Sequence, residues 1–258
     1  MGTFTCTKHK KHGGISELEL HDRLYFSDNI YIPKVTFPAS SKEIEDDICS
    51  QLGCKNGNNY EESLYLIDKN GNNLFDENGN RLKSNSFIFT ISSIPENCTN
   101  RQMLSYIAAA GGQFGYIDRS GNYVRKSYGK ISQKTLNNNV IDEPTISEKA
   151  NRIIGVICTG KSSVKFTRGS TDKTKGRVLE FDNPYMTDSL LSSLFVNIKD
   201  FQWYTADLKQ RLGDPRFDFG DVVLYEGCNI PITNLKFEYN GGLSADISAV
   251  GLSEEELI

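Results

Sequence analysis

The chain has 258 residues, enough for one large or two to three modest domains with a buried core. Its 29 basic and 33 acidic residues leave a net charge of −4, which argues against a dedicated nucleic-acid surface, since phosphate binding needs clustered Lys and Arg. Hydrophobic content of 38% with a mean hydropathy of −0.44 fits a soluble protein rich in turns, and no apolar run is long enough for a transmembrane helix.

The first residues, Met1 to Lys8, lack the basic n-region and apolar h-region of a signal peptide, so export is not expected. The six cysteines (Cys6, Cys49, Cys54, Cys98, Cys158 and Cys228) are therefore expected as thiols in a reducing compartment.

Residues 3–20 read as a hairpin with a basic tip, Lys8 to His12, and a Gly13-Gly14 turn. A sheet that opens with a hairpin directly after Met1 is consistent with a piece of a longer protein whose earlier strands are absent. His21 to Pro33 is a turn with Leu24, Tyr25, Phe26, Ile30 and Tyr31 as apolar anchors. Ser40-Ser41-Lys42-Glu43 is a capping box that opens a helix. Ile44, Ile48 and Leu52 share one face of it, and Gly53 closes it. Lys55 to Arg81 is rich in Asn and Gly and reads as a long hairpin or loop before a strand at Phe87–Ile91. Thr99-Asn100-Arg101-Gln102 repeats the capping box, with Met103, Leu104, Ile107 and Ala108 as the apolar stripe and Gly111-Gly112 as the stop. Gln113–Ile117 and Asn122–Arg125 should pair across Asp118–Gly121.

Lys130–Thr145 is polar and reads as a linker. Strands are expected at Asn151–Thr159 and Arg177–Phe181, around a Lys/Thr/Gly-rich excursion from Gly160 to Gly176. Asn183-Pro184 introduces a third helix, with Leu190, Leu191, Leu194, Phe195 and Ile198 inward. Phe201–Gly251 reads as four β-segments parted by turns at Gly213-Asp214-Pro215, Gly227-Cys228-Asn229 and Asn240-Gly241-Gly242. Its expected core comprises Phe201, Trp203, Leu208, Val222, Leu224, Ile232, Leu235, Phe237, Leu243, Ala245, Ile247 and Ala249.

Candidate chemistry reduces to ordinary structure at each place. The Asp-rich runs 68–73, 76–80 and 118–122 invite a calcium reading, but an EF-hand from Asp68 needs Gly at 73 and Glu at 79, where the chain has Asn73 and Gly79. Cys6, His9 and His12 lack a fourth metal ligand. Cys49 and Cys98 carry no nucleophile signature, and Cys49 lies beside the apolar stripe of its helix. Asp214, Asp218, Asp221 and Glu226 raise a glycosidase pair, yet Asp214 precedes Pro215 and Asp221 follows Gly220, as turn formers do. Asn97-Cys98-Thr99 matches a glycosylation acceptor but is better placed as a helix cap. Trp203, Tyr204, Phe217, Phe219, Tyr225, Phe237 and Tyr239 suit a core, a subunit interface or a carbohydrate-binding face. No catalytic, cofactor-binding or metal-ligating residue is assigned.

Several stretches together resemble one family. They are Phe37-Pro38 with the capped helix to Gly53, Thr99–Ala108 followed by Tyr116–Gly121, Gly213-Asp214-Pro215, Phe219–Val223, and Phe237–Ala245. In order and spacing the chain, from about 15 to 253, is similar to the tail-tip and baseplate-hub proteins of tailed phages and prophages, relatives of which are labelled prophage tail endopeptidase or minor tail protein. The resemblance implies an α+β fold of β-barrel-like domains with an inserted helix-plus-sheet domain. On it, residues 1–39 are the remainder of a first barrel-like domain, 40–128 the α+β domain, 129–144 a linker, 145–252 a second barrel-like domain with a crossover helix, and 253–258 an acidic tail. It further implies a non-enzymatic subunit of the virion tail, made in the host cytoplasm, in a homotrimeric ring that joins tube, distal tail and fibres around the genome's path. Neither a cofactor nor membrane insertion nor specific nucleic-acid binding goes with that role. The alternatives are a fragment of a tail-associated cell-wall hydrolase using Asp214 and Asp221 or a Cys/His pair, and a carbohydrate-binding module using exposed aromatics.

Overall fold

The structure, a computed structural model, describes residues 4–60, 88–127, 134–137, 141–199, 201–239 and 241–249. The chain divides into two units, Met1–Arg125 with Thr159–Val164 and Asp182–Leu194, and Lys126–Cys158 with Lys165–Phe181 and Phe195–Ile258.

The first unit opens with a ribbon of β1 (Thr5–His12) and β2 (Ile15–His21). Gly13 and Gly14 alone make its tip, so the basic residues expected there lie along β1 instead. A 3-10 turn follows at Arg23–Asp28, where the Leu24 N–H donates to Asp22 Oδ1 at 2.9 Å. Tyr31 is buried beyond it, but Tyr25 and Ile30, expected as anchors, are about half exposed.

β3 (Ala39–Ser40) runs directly into α1 (Ser41–Leu52). Both halves of the capping box form: the Glu43 N–H donates to Ser40 Oγ, and the Ser40 N–H donates to Glu43 Oε2 at 2.8 Å. Gly53 ends the helix at φ 71°, its N–H donating to the Ser50 carbonyl. Ile44 and Ile48 are fully buried, each gaining roughly 1.5–3 kcal/mol from leaving water. β4 (Lys55–Asn56) follows, and β5 (Thr90–Ile91), which pairs with β3, is all that the described residues show of the strand expected over 87–91.

α2 (Asn100–Ala110) repeats the design with Thr99 as cap, Gln102 reaching back, and Met103, Leu104 and Ile107 buried. β6 (Phe114–Ile117) and β7 (Asn122–Lys126) then join in one sheet, and β7 takes β4 on its other side in parallel. One core gathers Ile44, Ile48, Ile91, Met103, Ile107 and Tyr123.

The second unit holds most of the sheet. β8 (Lys134–Thr135) lies within the stretch read as a linker, and β9 (Ile141–Ile146) begins in it and runs past its end. Next come β10 (Asn151–Thr159), β11 (Lys165–Gly169) and β12 (Arg177–Asp182). Gly155 in β10 is where the backbone of Ser170 passes, and a Cβ there would sit 1.9 Å from the Ser170 carbonyl oxygen. α3 (Asp188–Ile198), which belongs to the first unit as far as Leu194, buries Leu191 and Leu194, and the Leu190 N–H donates to Thr187 Oγ1 at its start.

The closing stretch forms six strands rather than four: β13 (Gln202–Trp203), β14 (Ala206–Gln210), β15 (Val222–Tyr225), β16 (Cys228–Pro231), β17 (Asn234–Tyr239) and β18 (Leu243–Ala249). Pro231 has no N–H to donate and ends β16, so Ile230–Tyr239 divides into β16 and β17. The β15–β16 hairpin turns at Glu226-Gly227, with φ 49° and 81°, one residue earlier than the sequence suggested. Those positive values are what a two-residue primed turn requires.

These strands enter three sheets. β13 joins β11-β10-β12 by pairing with β10; β17-β18-β14-β9 is the second; β16-β15-β8 is the third. Among the described residues none of these sheets closes into a barrel. The architecture is mixed α and β, mostly sheet with few helices. Leu208, Val223, Tyr225, Ile230, Ile232 and Ile247 form the core. Leu224 and Leu235 are only partly buried, while Phe237, expected inside, is 38% exposed.

Candidate functional site

The carboxylates of the closing stretch are tied into turns and ion pairs. Asp214 accepts from the Arg216 N–H and Nε through Oδ1, at 3.0 and 2.9 Å, and from Lys134 Nζ and Arg216 Nη2 through Oδ2, both at 2.8 Å. Arg216, with help from Lys134, holds the Asp214 carboxyl well below the usual carboxylate range. A general acid needs the opposite shift. Asp221 accepts from Lys126 Nζ at 2.6 Å and from the Asp218 N–H at 3.0 Å. Glu226 occupies the tip of the β15–β16 hairpin.

Asp118 is a turn former too. Its Oδ1 accepts from the N–H groups of Ser120 and Asn122, at 2.9 and 2.8 Å, and folds the β6–β7 connection. The Asp-rich runs 68–73 and 76–80 lie outside the described residues. Thr99 of the Asn97-Cys98-Thr99 triplet is the α2 cap.

None of the six cysteines is disulfide-bonded. Cys49 is buried, and its hydrogen bond with Cys54, reinforced by burial, pushes its thiol far up. Burial raises Cys98 likewise. Both shifts disfavour the thiolate that nucleophilic chemistry needs. The histidines belong to the ribbon: His9 Nε2 lies 3.3 Å from Ser16 Oγ, and His21 stacks on Tyr25 and contacts Glu19 Oε1 at 3.0 Å. Among the described residues no three His, Cys, Asp or Glu side chains converge as a metal site.

One polar cluster escapes the sequence reading. Glu45 on α1 is fully buried, with Arg125 Nε 3.1 Å from its Oε1 as an ion-pair contact and Tyr60 donating its hydroxyl to Oε2. The Arg125 guanidinium also lies 5.4 Å from the centroid of the Tyr60 ring. Burial pushes the Glu45 carboxyl up, against the pull of Arg125. Among the described residues, Arg125 Nη1 and Tyr123 Oη have no hydrogen-bond partner beside it. The available signal was positional: Ser41, Glu45 and Cys49 form a second buried row next to Ile44 and Ile48. With no exposure of Glu45 to solvent, the cluster is a structural pair in a core rather than a substrate site.

Surface features are of another kind. Of the aromatics that suited a sugar-binding face, Trp203, Phe217 and Tyr225 are core residues, whereas Phe237 and Tyr239 of β17 are exposed. Phe4, Leu18 and Leu20 are about half exposed at the ribbon. A cleft of about 340 Å³ in the first unit is lined by Arg23, Phe26, Ile30, Ile32, Gln51 and Asn100 among others.

No protein-family model matches the chain, and no curated protein is similar to it in sequence. Two solved structures are similar in fold. The tail protein from Neisseria meningitidis MC58 superposes with a TM-score of 0.55 at 16% identity, over 95% of this chain and 78% of that one. The 43 kDa tail protein of prophage MuSo2 from Shewanella oneidensis gives 0.52 at 16% identity, over 91% and 73%. Across nearly its whole described course, this chain shares the fold of these two tail proteins.

Proposed function

We propose that the chain is a structural, non-enzymatic subunit of a phage or prophage tail. The observation that carries this reading is the fold it shares with two tail proteins over more than nine-tenths of its length. The finer proposal is a position at the tail tip or baseplate hub, in a homotrimeric ring within the virion tail, where it joins the tube to tip and fibres. In that arrangement residues 1–39 and 145–252 supply barrel-like walls, 40–128 the inserted α+β domain and 129–144 their linker. The engaged carboxylates and exposed strand faces support a role in holding shape.

Light scattering of the purified chain over rising concentration is expected to show a trimer, and a strict monomer at high concentration would overturn the ring. Zymography on host peptidoglycan is expected to show no clearing. Clearing that Asp221→Ala abolishes would replace the structural reading with the hydrolase one, and selective binding on a glycan array would promote the sugar-binding alternative.

A further inference from the structure

Among the described residues the β1–β2 ribbon is a two-stranded sheet of its own. Cys6–Gly14 and Ser16–Leu20 are exposed. A lone ribbon is marginal in water, and among the described residues no further strand pairs with the outer edge of β1 or of β2, the kind of edge whose N–H and C=O groups can pair with another chain. Its side chains are sorted by strand. Lys8 and Lys10 of β1 stand opposite Glu19 and Glu17 of β2, with Lys8 Nζ 3.6 Å from Glu19 Oε2. Directly opposed residues share a face, so that face is basic along β1 and acidic along β2. Leu18 and Leu20 lie on the other face, opposite His9 and Cys6.

We propose that this ribbon is a contact between neighbouring copies of the chain, in which the outer edge of β2 in one copy pairs antiparallel with the outer edge of β1 in the next. The charge pattern selects that occupant and that pairing. Two β1 edges would oppose Lys8 and Lys10 to lysines, and two β2 edges would oppose Glu17 and Glu19 to glutamates, both unfavourable. Only β2 against β1 continues the alternation of Lys and Glu from copy to copy. Such a contact is head-to-tail, and it repeats until rotation closes the ring and leaves no open edge. Leu18 and Leu20 of each copy then lie on the other face of the shared sheet, with Cys6 and His9 of β1 between them and their equivalents. The inference rests on the ring reading above and names the surface that would build it.

The test uses the full chain and a charge-swapped variant, Lys8→Glu/Lys10→Glu/Glu17→Lys/Glu19→Lys, which keeps every opposition within the ribbon. Each protein alone should form the same oligomer. Mixed in equal amounts, one isotopically labelled, they should give mixed species several-fold below random exchange by native mass spectrometry, because at each wild-type-to-variant junction like charges meet. High salt should restore mixing. Random mixing at low salt would overturn the ribbon contact while leaving the ring standing. A swapped chain that stays monomeric beside an assembling wild type would overturn the β2-to-β1 register. A wild type that never assembles would overturn both.

Discussion

The capped helix α1 and the closing strands Gln202–Ala249 are both well packed, yet they are specified in opposite ways. Everything that starts, stops and faces α1 lies between Ser40 and Gly53: the reciprocal Ser40–Glu43 bonds, the row Ile44, Ile48 and Leu52, and the Gly53 cap. The closing strands find many of their partners far away. β14 pairs with β9 so that Gln210 faces Ile141, β15 pairs in parallel with β8, and β13 pairs with β10 at Asn151 and Arg152. A helix closes its hydrogen bonds within four residues. A sheet must first close long loops, and the chain between carries no mark of the pairing. The pair teaches that local codes place elements and that sheets are decided only when their partners meet.

The largest expected effect tests the exception inside the helical unit, where α1 depends on a residue 80 positions away through the Glu45–Arg125 contact. Arg125→Met leaves Glu45 buried without a counter-charge and should cost about 3–5 kcal/mol in urea denaturation, with Glu45→Leu in the same chain recovering most of it. A single variant as stable as the parent would show that α1 is as local as its caps suggest.

Ile48→Ala and Ile247→Ala each remove a fully buried side chain and should cost about 2–5 kcal/mol. Hydrogen exchange then sharpens the contrast. Ile247→Ala should lose protection across β14, β17 and β18 while α1 amides keep theirs, and uniform loss would mean that the two units unfold as one. Ser40→Ala should cost only about 1 kcal/mol, since it removes one half of a cap. A cost near that of Ile48→Ala would contradict the modest worth of the local code.

The smallest effect is in the pH dependence, and its sign differs between the regions. Asp214 has its folded pKa depressed by Arg216 and Lys134, so its contribution is fully present above the unfolded value of about 3.9 and fades as pH falls through the folded one. The stability deficit of Asp214→Asn should therefore shrink only in strong acid. Glu45 has its folded pKa raised by burial, so the folded chain holds its proton more tightly than the unfolded one. Stability should rise as pH falls from the folded value toward about 4.3, and a Glu45→Gln variant should lack that rise.

The sequence was readable wherever the physics was short-range. Both capping boxes, the ribbon with its Gly13-Gly14 turn, the Asp118 turn and strand β10 could all be placed from neighbouring residues. The roles of Asp214 and Asp118 as turn formers were legible because their side chains bond N–H groups two residues on. β8 and β9 were not, because Lys134–Thr135 and Ile141–Ile146 belong to a polar stretch and pair with the distant β15 and β14. Phe237 was expected inside by alternation alone, but β17 is the edge strand of its sheet and leaves it exposed. The order of several weak motifs pointed to tail proteins, and two tail proteins are similar to this chain in fold.

What the sequence determined by itself is the set of helices, their caps, their apolar stripes and the commonest turns, because each rests on contacts spanning a few residues. Tertiary structure decided which strands meet, that the closing stretch is shared among three sheets, and that Glu45 is enclosed with Arg125. Strand pairing and burial are properties of two segments at once, and neither segment alone carries the free energy that fixes them.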